Sequence, residues 1–402
     1  MAISDHRDLR GGNSPWERNL PVFPPATLNS GIRCDVLVVG AGATGALIAE
    51  AASARNLSTV IVDRRGAARG STAANTALIE FELDTTLIEL QDNLGAEKAG
   101  RVYLRTFAAV SGLLQKLERL GISCGQSSRA ALYLCGDKLD PAGAAREAEE
   151  RKKIGLPSEF HDARRLKERF GIDRVGGVVS EGSALLNPVE MVAGLIEAVL
   201  RRGGRLFEGE EVTEFSHEGE RVSARTKNGG VIEAKHVVFA MGYELPRGMR
   251  YRGHKVVSTW ALATGPQAKL WPEEVMITEA AEPYLYVRAW DGSRVIAGGE
   301  DESDSDAETR TARFSEKIAA IQQKLKVLLP HLDVKPKYAW TGAFGRSESG
   351  LPFIGRLEAC PRCHVAAGFG GNGTTFAEVA AELIVADILG KPDPDAELFG
   401  LA

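Results

Sequence analysis

Residues 34–65 strongly restrict the fold, because they carry the complete pattern of a strand–helix–strand unit. A β-branched run, 36–39, leads directly into Gly40, Gly42 and Gly45, and small residues follow to about position 55. In such a unit the first glycine makes a tight turn, the second lets a phosphate approach the backbone, and the third lets the helix pack closely on the strand. The free N–H groups at the helix N-terminus then face the anion.

A second apolar run, 59–62, ends at Asp63, which lies 18 residues beyond Gly45. A carboxylate about 20 residues beyond the glycines accepts a hydrogen bond from a ribose hydroxyl in dinucleotide-binding units. A glycine pattern alone is weakly diagnostic, but here strand, glycines, helix, second strand and acid occur in the required order. The segment therefore predicts an α/β fold with a Rossmann-like dinucleotide-binding domain.

Composition favours a small ligand over a macromolecular partner. The chain has 402 residues, more than the roughly 250–300 that one hydrophobic core serves, so we expect two packed domains. Because 49 basic residues face 54 acidic ones, charge gives no reason to expect nucleic acid or an anionic membrane as partner. No apolar run reaches the roughly 18 residues of a membrane span, and the first residues are too charged for a signal peptide. We expect a cytoplasmic protein.

The order of patterns along the chain predicts an arm and two interleaved domains. Residues 1–33 are rich in Pro, Asn and Arg and have no period, so we expect an arm on the surface, anchored by Trp16. The remaining segments alternate between a strand–helix pattern, typical of the dinucleotide-binding domain, and short alternating strands with helices, typical of an antiparallel-sheet substrate domain. The predicted dinucleotide-binding domain comprises residues 34–90, 170–247 and 338–402. The predicted substrate domain comprises residues 91–169 and 248–337.

The five cysteines are too few for a disulfide framework, so we expect most of them to be reduced. Cys360-Pro-Arg-Cys363-His364 matches the motif of a c-type haem attachment and that of a redox or zinc pair. The alternative is that the segment is a turn with at most an incidental disulfide. The turn is favoured because no second CxxC completes a zinc site, and we predict no metal site. The acidic run 300–306 is predicted to be a solvated loop.

Several motifs together carry a family resemblance. They are the glycine unit, Gly70-Ser71-Thr72, VVFAMG at 237–242, WTGAFGRSESGLPFIG from 340 and GFGGNGTTFAEVAAELI from 368. Over residues 34–392 the chain resembles the D-amino-acid-oxidase (DAO) family of FAD-dependent oxidoreductases. Within that family it is most similar to the branch of glycine oxidase, sarcosine oxidase and γ-glutamylputrescine oxidase. The resemblance implies FAD rather than NAD as the cofactor.

The resemblance also implies which residues contact FAD. The implied contacts of the pyrophosphate are Gly40, Ala41, Gly42, Ala43, Thr44 and Gly45, and those of the adenosine are Asp63, Arg64, Val212, Ala240 and Gly242. The implied contacts of the flavin ring are Gly70, Ser71, Thr72, Thr76 and Ala77. Those of the pyrimidine edge are Gly371, Asn372, Gly373 and Thr374. The last group also has a physical reason, since a helix predicted over 375–389 would offer its N-terminal N–H groups to the anion of a reduced flavin. The alternative is that GFGGNG is only a flexible turn.

Two departures from the family pattern bear on the substrate. In glycine oxidase and D-amino acid oxidases an arginine binds the substrate carboxylate at the position that Phe344 occupies here, and Arg346 lies two residues further on. In sarcosine oxidases the carboxylate is bound by an arginine where this chain has Glu80. Two carboxylates 4 Å apart repel each other by about 1–4 kcal/mol, so Glu80 favours a cationic amine, such as a diamine, a polyamine or its conjugate. The alternative is that Glu80 faces solvent or pairs with Arg346.

No catalytic residue follows from the sequence, and the pocket candidates are Glu80, Tyr286, Arg288, Phe344 and Arg346. Tyr284, Tyr286 and Arg288 share one face of a predicted strand, which belongs either to the pocket or to the core. Trp260 has the same two interpretations, as an aromatic wall for a cation or as core.

The resemblance implies two further properties of the cofactor chemistry. Sarcosine oxidases attach the flavin to a cysteine on the C-terminal strand, and no cysteine lies between 338 and 359, so we expect non-covalent FAD. They also use a lysine to activate oxygen, where this chain offers only Arg294, so the electron acceptor is either O2 or another carrier.

The sequence therefore predicts a flavoenzyme that transfers a hydride from the carbon beside a substrate nitrogen to FAD. Two alternatives stay open. The first is a dehydrogenase of alcohols or 2-hydroxyacids, which needs a base and anion-binding arginines and would use His254 or Arg288. The second is a flavin-binding subunit without its own turnover.

Overall fold

Two β-sheets and the helices packed on them make up the part of the chain that the structure describes. The structure, a computed structural model, describes residues 3–4, 6–28, 31–246, 254–304 and 306–400. Its strands are β1 (Arg10–Asn13), β2 (Ile32–Val39), β3 (Thr59–Asp63), β4 (Leu78–Ile79), β5 (Ser127–Leu134), β6 (Ser158–Asp162), β7 (Gly176–Leu185), β8 (Arg205–Glu208), β9 (Val212–Glu218), β10 (Arg221–Thr226), β11 (Val231–Phe239), β12 (Lys255–Thr264), β13 (Met276–Glu279), β14 (Leu285–Trp290), β15 (Arg294–Glu302), β16 (Pro336–Arg346), β17 (Phe353–Leu357) and β18 (Cys360–Ala367).

The helices pack on these sheets and on one another. They are α1 (Ala43–Ser53), α2 (Leu87–Leu94), α3 (Ala96–Leu120), α4 (Pro141–Lys153), α5 (Ala163–Phe170), α6 (Pro188–Arg201), α7 (Ala307–Ala312), α8 (Phe314–Leu328) and α9 (Gly373–Ile388). The pair Asn187-Pro188 predicts a helix start, with Asn187 as the N-cap. The structure confirms this for α6, because the Asn187 side chain accepts from the N–H groups of Val189 and Glu190. The sequence pattern predicts one helix from about 306 to 329, but the structure has two helices there, α7 and α8.

The smaller sheet is the dinucleotide-binding sheet that the sequence predicts. Its strand order is β17-β18-β11-β2-β3-β8, and β18, β11, β2, β3 and β8 run parallel. The helix α1 connects β2 to β3 and packs against α6 and α9. The α/β class with a Rossmann-like sheet is therefore confirmed.

The larger sheet has the order β1-β16-β12-β15-β14-β13-β5-β7-β4, with β6 paired to β7. Its described pairs are antiparallel except β13 with β5. Four of its described strands come wholly or mainly from outside the predicted substrate segments: β1 from the arm, β4, β7 and β16. The division of the chain into two domains stays a prediction.

The N-terminal arm is less superficial than the sequence suggests. Its strand β1 pairs with β16, so the arm enters the larger sheet. Trp16 anchors it as expected: the side chain is 1 % exposed, and its indole N–H donates to the carbonyl of Asn75 at 2.8 Å.

One loop prediction is wrong in part, and a second is wrong. The acidic run begins inside β15, where Glu300 is buried and pairs with Lys324 and Lys317 of α8; these ammonium groups make burial of the carboxylate possible. Residues 303, 304 and 306 follow β15 and are exposed, as predicted. The CxxC motif lies at the start of β18, not in a turn, and Cys360 and Cys363 form a disulfide.

The other three cysteines, Cys34, Cys124 and Cys135, are free and buried. Across the described residues we found no cluster of three or more His, Cys, Asp or Glu side chains able to hold a metal ion. In the same part of the chain, every helix is too short or too polar to cross a membrane.

Candidate active site

A long cavity begins where β2 ends and α1 begins. Gly40 has φ 116°, and a Cβ there would lie 2.2 Å from the carbonyl oxygen of Ala240. A Cβ on Gly45 would lie 1.8 Å from the carbonyl oxygen of Gly40. Only glycine fits at these two positions, so the tight turn and the close helix packing predicted from the sequence are confirmed.

The N-terminus of α1 opens into this cavity. Its N-cap residue, Gly42, has no side chain that could cap the first turn, and the N–H of Ala43 donates to Thr72 Oγ1 at 3.0 Å. Gly42, Ala43 and Thr44 all line the cavity. Uncapped N–H groups and the helix dipole make such a terminus an anion-binding site.

Asp63 lies beside that terminus, at the end of β3. Its Oδ2 accepts from the N–H of Ala41 at 2.8 Å, and its Oδ1 accepts from the N–H groups of Arg65 and Gly66 at 2.7 and 2.8 Å. Burial raises the pKa of Asp63, whereas these three donors stabilise its charged form. The carboxylate also lines the cavity, where it can accept from a hydroxyl.

Most predicted cofactor residues lie on the cavity surface. The residues that line it are Gly40, Gly42, Ala43, Thr44, Asp63, Arg64, Gly70, Ser71, Thr72, Thr76, Val212, Ala240, Gly242, Gly371, Asn372 and Gly373. Four others lie behind it: Ala41, Gly45, Ala77 and Thr374 are buried and do not line the cavity. Direct contact of each residue with a cofactor stays a prediction.

The start of α9 is tied to the segment that follows β4. Asn372 Nδ2 donates to the carbonyl of Glu82 at 2.7 Å, and Thr375 Oγ1 donates to the carbonyl of Glu80 at 2.8 Å. The N–H of Gly371 donates to Asp84 Oδ2 at 3.0 Å. The helix begins at Gly373, so its N-terminus faces the cavity as predicted, two residues earlier than expected.

The residues of this half of the cavity fit a dinucleotide. They supply an anion-binding helix terminus, a carboxylate beside it and a second helix terminus further along. In addition, the buried Ser71 Oγ has no hydrogen-bond partner among the described residues, although it lines the cavity. A buried hydroxyl of this kind calls for a bound partner.

The other half of the cavity reaches the larger sheet and is acidic and aromatic. Its walls include Glu80, Asp84, Tyr284, Tyr286 and Phe344. Asp84 is not among the residues predicted from the sequence, although acids alternate at 80, 82 and 84. Ile3, Ser4 and Leu9 also line the cavity, and no pattern in the sequence identifies them.

Glu80 lies free in this half of the cavity. Its carboxylate makes no hydrogen bond or ion pair with the residues that the structure describes, so the predicted alternative of a pair with Arg346 is wrong. Burial, together with the carboxylates of Glu82 and Asp84, raises the pKa of Glu80 to about 8, and Arg151 acts in the opposite direction.

Arg346 is paired elsewhere. Its Nη2 lies 2.6 Å from Oδ2 of Asp301, whose side chain is 4 % exposed, and that oxygen also accepts from the hydroxyl of Tyr284 at 2.8 Å. The guanidinium lies 5.2 Å from the ring centroid of Phe344, and Phe344 lines the cavity whereas Arg346 does not. The charge of Arg346 is therefore paired with a carboxylate that lies outside the cavity lining.

Two candidates lie in the interior. Arg288 is 1 % exposed and does not line the cavity, although Tyr286 on the same strand face does. Its guanidinium donates to the carbonyls of Thr76, Ala77 and Leu186 at 3.0, 2.6 and 3.0 Å. Its assignment to the pocket is wrong, because the 76–77 backbone covers that end of the strand.

Trp260 is also a core residue. It is 1 % exposed and belongs to the apolar cluster under the larger sheet, where Lys317 Nζ lies 5.4 Å from its ring centroid. The core interpretation is therefore confirmed, and the aromatic-wall interpretation is wrong.

Comparison with known proteins agrees with this geometry. The family model described as FAD dependent oxidoreductase (DAO) matches residues 35–387. The chain is 25% identical over 388 residues to the gamma-glutamylputrescine oxidoreductase of Escherichia coli strain K12, covering 94% of this chain and 87% of that protein. It is 22% identical over 386 residues to the glycine oxidase of Geobacillus kaustophilus strain HTA426, covering 91% and 95%.

Solved structures share the fold. The crystal structure of glycine oxidase from Geobacillus kaustophilus superimposes with a TM-score of 0.77 at 19% identity, covering 92% of this chain and 99% of that one. L-proline dehydrogenase from P.horikoshii superimposes with a TM-score of 0.73 at 20% identity, covering 92% and 97%. The resemblance inferred from the sequence is confirmed, and with it FAD as the cofactor. The chain belongs to the DAO family of FAD-dependent oxidoreductases.

Proposed function

We propose that this protein oxidises a carbon–nitrogen bond of a cationic amine, in preference to a simple α-amino acid. The observation that carries the proposal is the free carboxyl of Glu80 in the sheet-side half of the cavity. In that half, the described lining contains Glu80 and Asp84 but neither arginine nor lysine. A substrate ammonium is attracted there, whereas a substrate carboxylate would meet two acids and no cation.

Names of relatives support the same reaction class. One relative is a gamma-glutamylputrescine oxidoreductase, and another is a glycine oxidase. The first name points to an amine and the second to an amino acid, and the charge of the cavity favours the amine. The product is an imine, which water hydrolyses to a carbonyl compound and ammonia or a smaller amine.

When bound, FAD accepts the hydride. The protein orients the substrate, excludes water from the cavity and provides a carboxylate that can accept the substrate proton. The rings of Tyr284, Tyr286 and Phe344 form walls that orient an alkyl chain and exclude water. A buried carboxylate beside a buried ammonium tends to take its proton, because burial disfavours both charges. Glu80 is placed to hold that proton, which leaves the neutral amine that hydride transfer requires.

We further propose that FAD binds non-covalently, since no cysteine lies between 338 and 359. The electron acceptor is O2 or another carrier. The cytoplasmic location stays a prediction of the sequence.

Anaerobic reduction of the bound flavin tests the proposal. The purified holoprotein is mixed with primary amines, diamines, polyamines, α-amino acids and 2-hydroxyacids, and the loss of flavin absorbance is followed. We expect the amines to bleach the flavin fastest. Bleaching by amino acids alone would remove the preference for amines, and bleaching by hydroxyacids alone would favour an alcohol dehydrogenase. A flavin that no compound bleaches would favour a binding subunit.

The alcohol dehydrogenase is less well supported by the cavity. It needs a base and anion-binding arginines near the substrate, but the described lining includes neither His254 nor Arg288. Both of these side chains are at least partly buried outside it.

The pKa of Glu80 makes the reaction dependent on pH. Because this pKa is raised to about 8, the carboxyl of the free enzyme is mostly neutral below pH 8 and charged above it. We expect kcat/KM for a primary amine to rise with pH and to level off above about 8. Steady-state rates between pH 6 and 10 measure this, and a rise that persists unchanged in Glu80→Gln would assign it to another group.

The same shift has a consequence for stability. The folded protein holds the Glu80 proton up to about pH 8, whereas the unfolded chain releases it near the ordinary value of 4.5. Within that window the folded state binds more protons, so the Glu80 contribution to the free energy of unfolding falls as pH rises. Urea unfolding of wild type and Glu80→Gln at pH 5 and pH 8 measures the difference.

A further inference from the structure

We propose that residues 3–4 and 6–13, here called the N-terminal strap, form the outer wall of the FAD site and control how fast FAD leaves. Ile3, Ser4 and Leu9 of the strap line the same cavity as the glycines after β2. The family match begins at residue 35, so it does not include the strap.

One end of the strap is attached beside the adenosine half of the cavity. Ser4 forms an antiparallel bridge with Pro246. The N–H of Arg7 donates to Glu244 Oε1 at 2.7 Å, and Arg65 Nη2 donates to the carbonyl of Arg7 at 3.0 Å. Arg65 also pairs with Glu244 at 2.6 Å, and that glutamate side chain is 4 % exposed. The strap is thus joined to the residues that follow β3 and β11.

The other end is attached to the larger sheet. The N–H of Ala343 donates to the carbonyl of Leu9 at 2.9 Å, and β1 continues this pairing along β16. The buried Arg310 donates to the carbonyl of Asp8 at 2.8 Å. Leu9 is 6 % exposed, and its Cδ1 would lie 4.0 Å from a Cβ on Gly70, a residue of the cavity lining.

The strap therefore follows the cavity from its adenosine half to its flavin half and bridges the two sheets. A dinucleotide bound on the glycine turn would lie beneath it. Each attachment is a short strand pairing, a few hydrogen bonds or one ion-pair cluster, so the strap can detach while both sheets stay folded. Detachment would then precede release of FAD.

A reversible crosslink tests this sequence of events. Facing residues of antiparallel strands have Cα atoms about 4.5–5.5 Å apart, which suits a disulfide. The double variant Ser4→Cys/Pro246→Cys is oxidised as holoprotein and diluted, and the rise of free-flavin fluorescence gives the release rate. We expect release about tenfold slower or more in the oxidised form, and a return to the wild-type rate with reductant. Wild type with and without reductant controls for reduction of Cys360–Cys363.

A second variant opens the strap instead of locking it. Leu9→Ser removes an apolar contact with the cavity, and we expect release on the order of tenfold faster. Val22→Ser is the control, since Val22 is 88 % exposed and lies outside the strap.

Equal release rates in the oxidised and reduced double variant, or an unchanged rate in Leu9→Ser, would overturn the proposal. Failure of the two cysteines to crosslink would do the same, because they would not be neighbours. The readout is flavin release, so it does not depend on which substrate the enzyme oxidises.

Discussion

Glu80→Gln is expected to lower kcat/KM for a cationic amine about 10- to 100-fold, because a charged hydrogen-bond partner contributes about 1.5–3 kcal/mol and each 1.4 kcal/mol is tenfold. Glutamine keeps the size of the side chain but can neither attract an ammonium by charge nor take its proton. Turnover of glycine, measured alongside, should fall less or rise, since the substitution removes a repulsion of its carboxylate. Steady-state kinetics at pH 9, where Glu80 is charged, give the largest contrast.

Glu82→Gln is the matched control. It removes the same charge two residues away, but Glu82 contacts Ser183 and Arg151 and does not line the cavity. Because Glu82 raises the pKa of Glu80, its loss should shift the rise in kcat/KM to lower pH without reducing the plateau. Equal losses of kcat/KM in both variants would show that the overall field, and not contact with Glu80, attracts the substrate.

Arg288→Met is expected to lower the free energy of unfolding by about 3 kcal/mol or more and to weaken FAD binding. The guanidinium donates hydrogen bonds to the buried carbonyls of Thr76, Ala77 and Leu186. Each buried carbonyl left without a donor costs about 1–3 kcal/mol of stability. Ala77 also has φ 55°, a left-handed conformation that costs a non-glycine residue about 1–2 kcal/mol and needs external support. Since Thr76 lines the cavity, movement of this turn should disturb the flavin site.

Urea unfolding followed by tryptophan fluorescence gives the stability, and titration of the apoprotein with FAD gives the affinity. Arg294→Met is the control: this arginine is on the neighbouring strand and pairs with Asp291 near the surface, so its loss should cost less than about 1 kcal/mol. If Arg288→Met is as stable as Arg294→Met, the three carbonyls do not depend on the guanidinium.

The predictions from sequence succeeded where the interacting groups are close along the chain. Gly40 and Gly45 are required by contacts of the strand end with the helix that follows it, apart from the approach of Ala240. The cap of α6 at Asn187 is similarly local. Such patterns are readable because steric exclusion and capping act within a few residues.

The predictions failed where a distant segment covers a side chain. Alternation correctly placed Tyr286 and Arg288 on one strand face, but the backbone at 76–77 covers Arg288 and leaves Tyr286 in the cavity. The prediction of a solvated acidic run is wrong at Glu300, because its partners, Lys317 and Lys324, lie on a helix further along the chain. Neither the hydrophobic periodicity of a segment nor its amino-acid composition indicates which other segment will pack against it.

The sequence by itself determined the cofactor class, the Rossmann-like sheet and the position of the phosphate-binding turn. Each of these follows from contacts between residues that are close together along the chain. Only the tertiary structure decided the character of the substrate cavity. It paired Arg346 with Asp301, left Glu80 without a partner among the described residues and placed the N-terminal strap along the cavity. Charges and hydrogen bonds act across space, so their balance at a site is settled when sheet pairing brings together residues that are far apart in the chain.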